Sequence, residues 1–152
     1  RRLADTAQVL KPVLTIVEGV VGRVGTGFQR GRNRALGLVV AGTNVVAVDS
    51  VASWLAGFDP LDLIYLRIAN QVGLGENDPA RLKLYTEQDG AIVPCANPAG
   101  LRADPPFRVI SGIQGEDLDP FKAPAGEGNG DPILSTVRSW KKVMHIEKDP
   151  TP

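Results

Sequence analysis

The residues that usually carry chemistry are scarce in this chain. Its 152 residues include one cysteine (Cys95), one histidine (His145) and one methionine (Met144). A lone thiol cannot close an internal disulfide, and no Cys/His cluster has the spacing of a zinc or iron–sulfur site, so neither a metal nor a cofactor is expected in this chain. His145 has no serine or carboxylate partner near it in sequence and is not read as catalytic. Aromatic residues make up only 5%. Trp54, Trp140, Tyr65 and Phe58 fall on or beside helical faces, which suits core or interface and not a base-stacking platform. There is no net charge, with 17 basic residues against 17 acidic, and this argues against a general nucleic-acid binder. No run approaches the roughly 18 apolar residues of a membrane span. Arg1-Arg2 is followed by Ala4-Asp5-Thr6-Ala7-Gln8 and not by an apolar core, so no targeting segment is read and a cytoplasmic location is slightly favoured. Because Met144 is the only methionine, a fragment or a processed chain is expected.

What is present is enough for one folded unit: 43% hydrophobic residues in a chain of ordinary domain length. Its charge is unevenly spread. Residues 19–43 hold four arginines (23, 30, 32 and 34) and no acid, so the rest of a neutral chain carries the opposite excess. The same stretch is rich in glycine, which lets backbone approach a ligand closely, while guanidinium forks suit carboxylate or phosphate.

Two familiar phosphate loops are excluded. Gly22-Arg-Val-Gly-Thr-Gly27 has the outer spacing of a Walker A loop, but Phe28-Gln29 stand where lysine and a hydroxyl residue are needed. The dinucleotide fingerprint fails as well, because its glycine spacing is reversed here and no helical face follows. Two readings of the loop remain. It is either a plain connection between strands or a small-anion site formed by Gly22, Arg23, Gly25, Thr26, Gly27, Arg30 and Arg32. Glu18 and Asp49 lie at element boundaries near the loop and are weak catalytic candidates, as a base or a metal carboxylate, against the alternatives of a helix cap or an arginine partner.

The rest of the chain reads as scaffold. Residues 3–10 suit a short helix ended by Lys11-Pro12, and residues 13–17 and 35–41 suit buried strands on either side of the loop. Helices are expected over 45–56, capped by Asn44 or Asp49, over 60–72, opened by Asp59-Pro60 and closed at Gly73, and over 132–144. Alternation suggests strands at 81–86 and 107–110, with loops at 88–106 and 123–130.

Several of these motifs together carry a family likeness. Lys11-Pro12-x-Leu-Thr-Ile-Val-Glu-Gly-Val-Val-Gly22, then Gly25-Thr-Gly27, Leu36-Gly-Leu-Val-Val-Ala-Gly-Thr-Asn-Val-Val-Ala-Val-Asp-Ser-Val-Ala52 and Leu55-Ala-Gly-Phe-Asp-Pro60 resemble the C-terminal half of the domain-of-unknown-function 362 family. The likeness is specific in order and spacing over residues 11–75, and Gly115-Glu-Asp-Leu-Asp-Pro-Phe121 resembles the family's closing segment. It implies a prokaryotic protein, often associated with ferredoxin-type iron–sulfur modules, and assigns no reaction. The family's usual Asp-Gly, Met-Glu and Asn/Pro positions hold Glu18-Gly19, Arg23-Val24, and Thr26 with Phe28 here. The change at 23–24 reverses the local charge, so a cation site implied by the resemblance would be lost or altered.

The resulting expectation is an α/β fold, a small mixed sheet covered by about three helices. It is either one domain over 1–152 or the C-terminal portion of a larger one. The expected function is a small-anion or phosphate-bearing ligand-binding module of a redox-associated protein. The alternative is a non-catalytic structural or interaction piece that docks on itself, on a missing N-terminal half or on an iron–sulfur partner.

Overall fold

The computed structural model describes residues 2–25, 32–107 and 142–147, with the backbone alone at 32 and 142–147. It contains helices α1 (Arg2–Leu10), α2 (Val45–Leu55) and α3 (Ile64–Gln71). Its strands are β1 (Thr15–Val24), β2 (Arg32–Gly42), β3 (Lys83–Gln88), β4 (Ala91–Pro94) and β5 (Lys142–Glu147). The strands form one mixed sheet in the order β1-β2-β5-β3-β4. β5 runs parallel to β2 and antiparallel to β3. The expected α/β architecture is therefore present.

The core forms where α2 lies on the sheet. Val48, Val51 and Leu55 of α2 pack with Leu38 and Val40 of β2, all of them buried. Being rich in valine, α2 has modest intrinsic helix propensity, so burial and its cap hold it. The cap is Asn44, whose Oδ1 accepts from the Ala47 amide at 3.0 Å while its Nδ2 donates to the Leu74 carbonyl at 2.9 Å. Of the two expected caps, Asn44 performs the role; Asp49 sits within the helix. A second cluster joins Ala4 of α1, Val46 of α2, and Leu66 and Ala69 of α3.

Several boundaries differ from expectation for identifiable reasons. The helix expected over 60–72 begins at Ile64, because Asp59 uses its carboxylate on the Leu61 amide and its carbonyl on the Asp62 amide, making a separate turn first. Its end is as expected, with Gly73 at φ 76 and Leu74 N–H returning to the Ala69 carbonyl. Arg81 belongs to a short 3-10 turn, Pro79–Arg81, and not to β3. The loop expected over 88–106 contains β4, joined to β3 by a two-residue Asp89-Gly90 turn with both φ values positive.

The helix expected over 132–144 is corrected at its end. Residues 142–144 lie in β5, where Met144 pairs with Val40 on one side and Thr86 on the other. Backbone partners on two sides outweigh a helical spacing that is equally compatible with strand-forming Val143 and Ile146. Residues 132–141, the strand positions 108–110 and the loop 123–130 lie outside the described residues, and Phe107 is not in a strand.

Candidate functional site

Most of the stretch expected to be a long glycine loop is a β-hairpin. β1 runs to Val24 and β2 starts at Arg32, so Gly22, Arg23 and Arg34 are strand residues in the register Gly22↔Arg34, Arg23↔Asn33 and Val24↔Arg32. Directly opposed residues share a sheet face and neighbours alternate. The positions of Arg23 and Arg32 therefore fall on opposite faces, while those of Arg32 and Arg34 fall on the same face. Arg23 Nη1 donates to Asn33 Oδ1 at 3.1 Å. Gly25 follows β1 at φ 93. Thr26, Gly27 and Arg30, and the Arg32 side chain, lie outside the described residues.

Arg34 was not among the expected site residues. Its guanidinium lies 5.3 Å from the centroid of the Phe107 ring. Gly22, paired with Arg34, makes room for that ring: a Cβ there would stand 2.5 Å from Phe107 Cε2. Phe107 is held in turn by its amide, which donates to the Ala56 carbonyl at 2.8 Å. A bare glycine, an aromatic ring and a cation thus form one stack that ties the hairpin to the end of α2.

The two candidate carboxylates do other work. β1 carries a register shift between Gly19 and Val21, and Glu18 Oε1 accepts from the Val20 amide there. The carboxylate so satisfies a backbone donor that the bulge removes from the ladder. Asp49, half-buried on α2, faces Tyr65 of α3. The Tyr65 hydroxyl is pushed up to about 12 by burial first and then by its bond to Asp49 and that residue's charge, with Ser53 opposing. Among the described residues no group of three or more His, Cys, Asp or Glu side chains could hold a metal ion. Cys95 is half-buried against the core, and His145 takes its place in β5 between Ala41 and Tyr85.

A cleft that sequence reasoning missed lies between the C-terminal end of α2, the α2–α3 link and the two 3-10 turns, with a volume of about 390 Å³. Trp54, Phe58 and Leu84 give it apolar wall, and Asp59, Asp78 and Arg102 give it charge. The guanidinium of Arg102 lies 5.0 Å from the Trp54 ring centroid, and its Nε donates to the Trp54 carbonyl at 2.9 Å. Asp59-Pro60 and Asp78-Pro79 are both capped turns that reach this cleft, but the chain holds six Asp-Pro pairs, so the dipeptide does not mark it in the sequence.

With the hairpin placed, its relatives can be set beside it. Residues 1–54 match the family described as a domain of unknown function, DUF362. The DUF362 match takes in α1, the whole hairpin and α2 as far as Trp54, so Glu18, Asp49 and every glycine and arginine of the expected anion site lie within it. It begins before and ends short of the segment 11–75. Residues 115–121, compared above with the family's closing segment, lie outside both the match and the described residues. The chain is also 31% identical over 72 residues to the thylakoid-associated protein sll1697 of Synechocystis sp.. That stretch is 47% of this chain and 22% of the relative, so the chain spans about a fifth of that protein's length. No solved structure matches the chain. No helix among the described residues is long and apolar enough to cross a membrane.

Proposed function

We propose that this chain is an interaction module whose N-terminal arm docks on another polypeptide surface. The observation that carries this reading is the exposure of Leu3, Val9, Leu10, Val13, Leu14 and Ile16, each between 55% and 86% accessible. They follow one another along α1 and the start of β1, and β1 is an edge strand. Exposed large apolar side chains gathered in one segment mark contact sites, and an open strand edge adds unpaired backbone groups. The DUF362 match covers this arm, and the surface that covers it is the other half of a larger domain or a second copy of this chain. The test is sedimentation velocity with anilinonaphthalene-sulfonate fluorescence. Self-association or dye binding is expected, and Leu14→Glu with Ile16→Glu should abolish it. A clean monomer that binds no dye would end the proposal.

A second reading, a small-anion site on the hairpin, is favoured by Arg34. Its guanidinium is held by an aromatic ring, and among the described residues no carboxylate stands within ion-pair distance of it. Phosphate, sulfate or a carboxylate metabolite should then raise the melting temperature. Arg34→Ala, and Arg30→Ala with Arg32→Ala, should each reduce or remove the shift, and no shift with any of these anions would reject the site.

A further inference from the structure

We infer that the cleft beside Trp54 binds a small apolar zwitterion, the class to which α-amino acids with apolar side chains belong. The inference is independent of the docking reading, because no residue lining the cleft belongs to the exposed arm.

Its volume of about 390 Å³ is that of a small-molecule site, with mostly apolar walls and a few convergent polar groups. The arrangement of those groups selects the ligand. Arg102 is fixed without a carboxylate: the Trp54 ring supports its face and the Trp54 carbonyl takes its Nε–H, so neither terminal nitrogen is needed to hold it. Asp59 and Asp78 each commit Oδ1 to their own turn, accepting from the Leu61 amide at 2.9 Å and the Ala80 amide at 3.0 Å. Each keeps Oδ2 available.

Although they line the same cleft, neither acid pairs with Arg102; the ion pair found among the described residues is Arg81 with Glu76. A guanidinium and two carboxylates thus line one cleft without forming an ion pair with one another. A simple anion drawn to Arg102 would also meet two carboxylates, and a simple cation drawn to the acids would meet the guanidinium. A molecule with an ammonium and a carboxylate on the same carbon answers both charges at once. Trp54, Phe58 and Leu84 then offer apolar surface to its side chain.

The experiment is calorimetric titration of the whole chain with L-leucine, N-acetyl-L-leucine and L-leucinamide. Leucine should bind, and blocking either its amine or its carboxylate should weaken binding at least about tenfold, the loss of one charge-assisted contact. Arg102→Met should make leucine and leucinamide equivalent. Asp59→Asn with Asp78→Asn, which keeps the capping oxygens, should make leucine and its N-acetyl form equivalent. Far-ultraviolet circular dichroism would confirm that the variants are folded. Equal binding of all three probes, or no binding of any at millimolar concentration, overturns the inference.

Discussion

Helices α1 and α2 stand close in the chain and use their apolar residues in opposite ways. In α2 six of eleven residues are buried; in α1 only Ala4 of nine is buried. Leu55 is 1% exposed, whereas Leu10 is 71% exposed. Composition separates them in part: eight of the eleven residues of α2 are apolar against five of nine in α1. The neighbour completes the difference: α2 lies across β1 and β2, while α1 packs mainly on α3 and buries Ala4 alone. The apolar residues α1 does have, Leu3, Val9 and Leu10, are left on a surface because no layer covers them.

The largest expected effect tests that contrast directly. Leu55→Ala removes a fully buried side chain and should cost about 2–5 kcal/mol in urea unfolding, because the surrounding helix and sheet can only partly close the cavity. Leu10→Ala should stay within about 0.5 kcal/mol, as exposed substitutions do. Comparable losses at the two sites would mean that the arm is covered in solution, with the contrast dissolved by association.

Next in size is Asn44, which fastens α2 to the end of α3 through both ends of its amide. Asn44→Ala should cost about 2 kcal/mol, roughly one for the cap and one for the bond to the Leu74 carbonyl. Asn44→Asp keeps the cap acceptor and loses the donor, so it should recover about half of that, read from the shift in unfolding midpoint. A smaller loss, about 1 kcal/mol, is expected for Glu18→Ala, which strands the Val20 amide at the bulge. Glu18→Gln keeps an acceptor and should lie close to the parent. If Gln were as damaging as Ala, the charge and not the backbone bond would be what Glu18 supplies.

How much of this was visible in the chain depends on the range of the forces involved. The Asn44 cap and the Gly73 stop follow from local rules and appeared where those rules put them. The two strands formed as well, but they run on into the expected loop, to Val24 and from Arg32, and Val13, Leu14 and Ile16 are exposed where a buried strand was expected. The strand at 142–147 did not follow from local rules, because a partner on each side decided it and Ile133, Val137, Trp140 and Met144 mimic a helical stripe. Asp89-Gly90 was a local turn signal that composition obscured; its neighbours made the segment look like loop. At the candidate site, glycine and arginine content pointed to the hairpin, but pairing register sets which arginines share a face. That register sets Arg34 apart from Arg23. The Trp54 cleft was out of reach because it joins residues from 54 to 102, brought together only by the fold.

The smallest expected effect at neutral pH concerns the seam where the α3 layer meets α2. Tyr65 titrates near 12 in the folded chain and near its ordinary value of 10 when unfolded, chiefly because burial and the Asp49 carboxylate disfavour a phenolate. The group's folded value is raised, so its contribution to stability is fully present below pH 10 and is lost as pH rises towards 12. Unfolding midpoints measured across that window should therefore fall more steeply in the parent than in Tyr65→Phe, which has no proton to lose. Other groups titrate there too, and the difference between the two slopes removes their share. Asp49→Asn should flatten the parent's slope in part, since it removes the charge but leaves the burial. If the two slopes coincide, the α2–α3 seam is open to water in solution, and α3 then behaves more like the exposed arm than like the core.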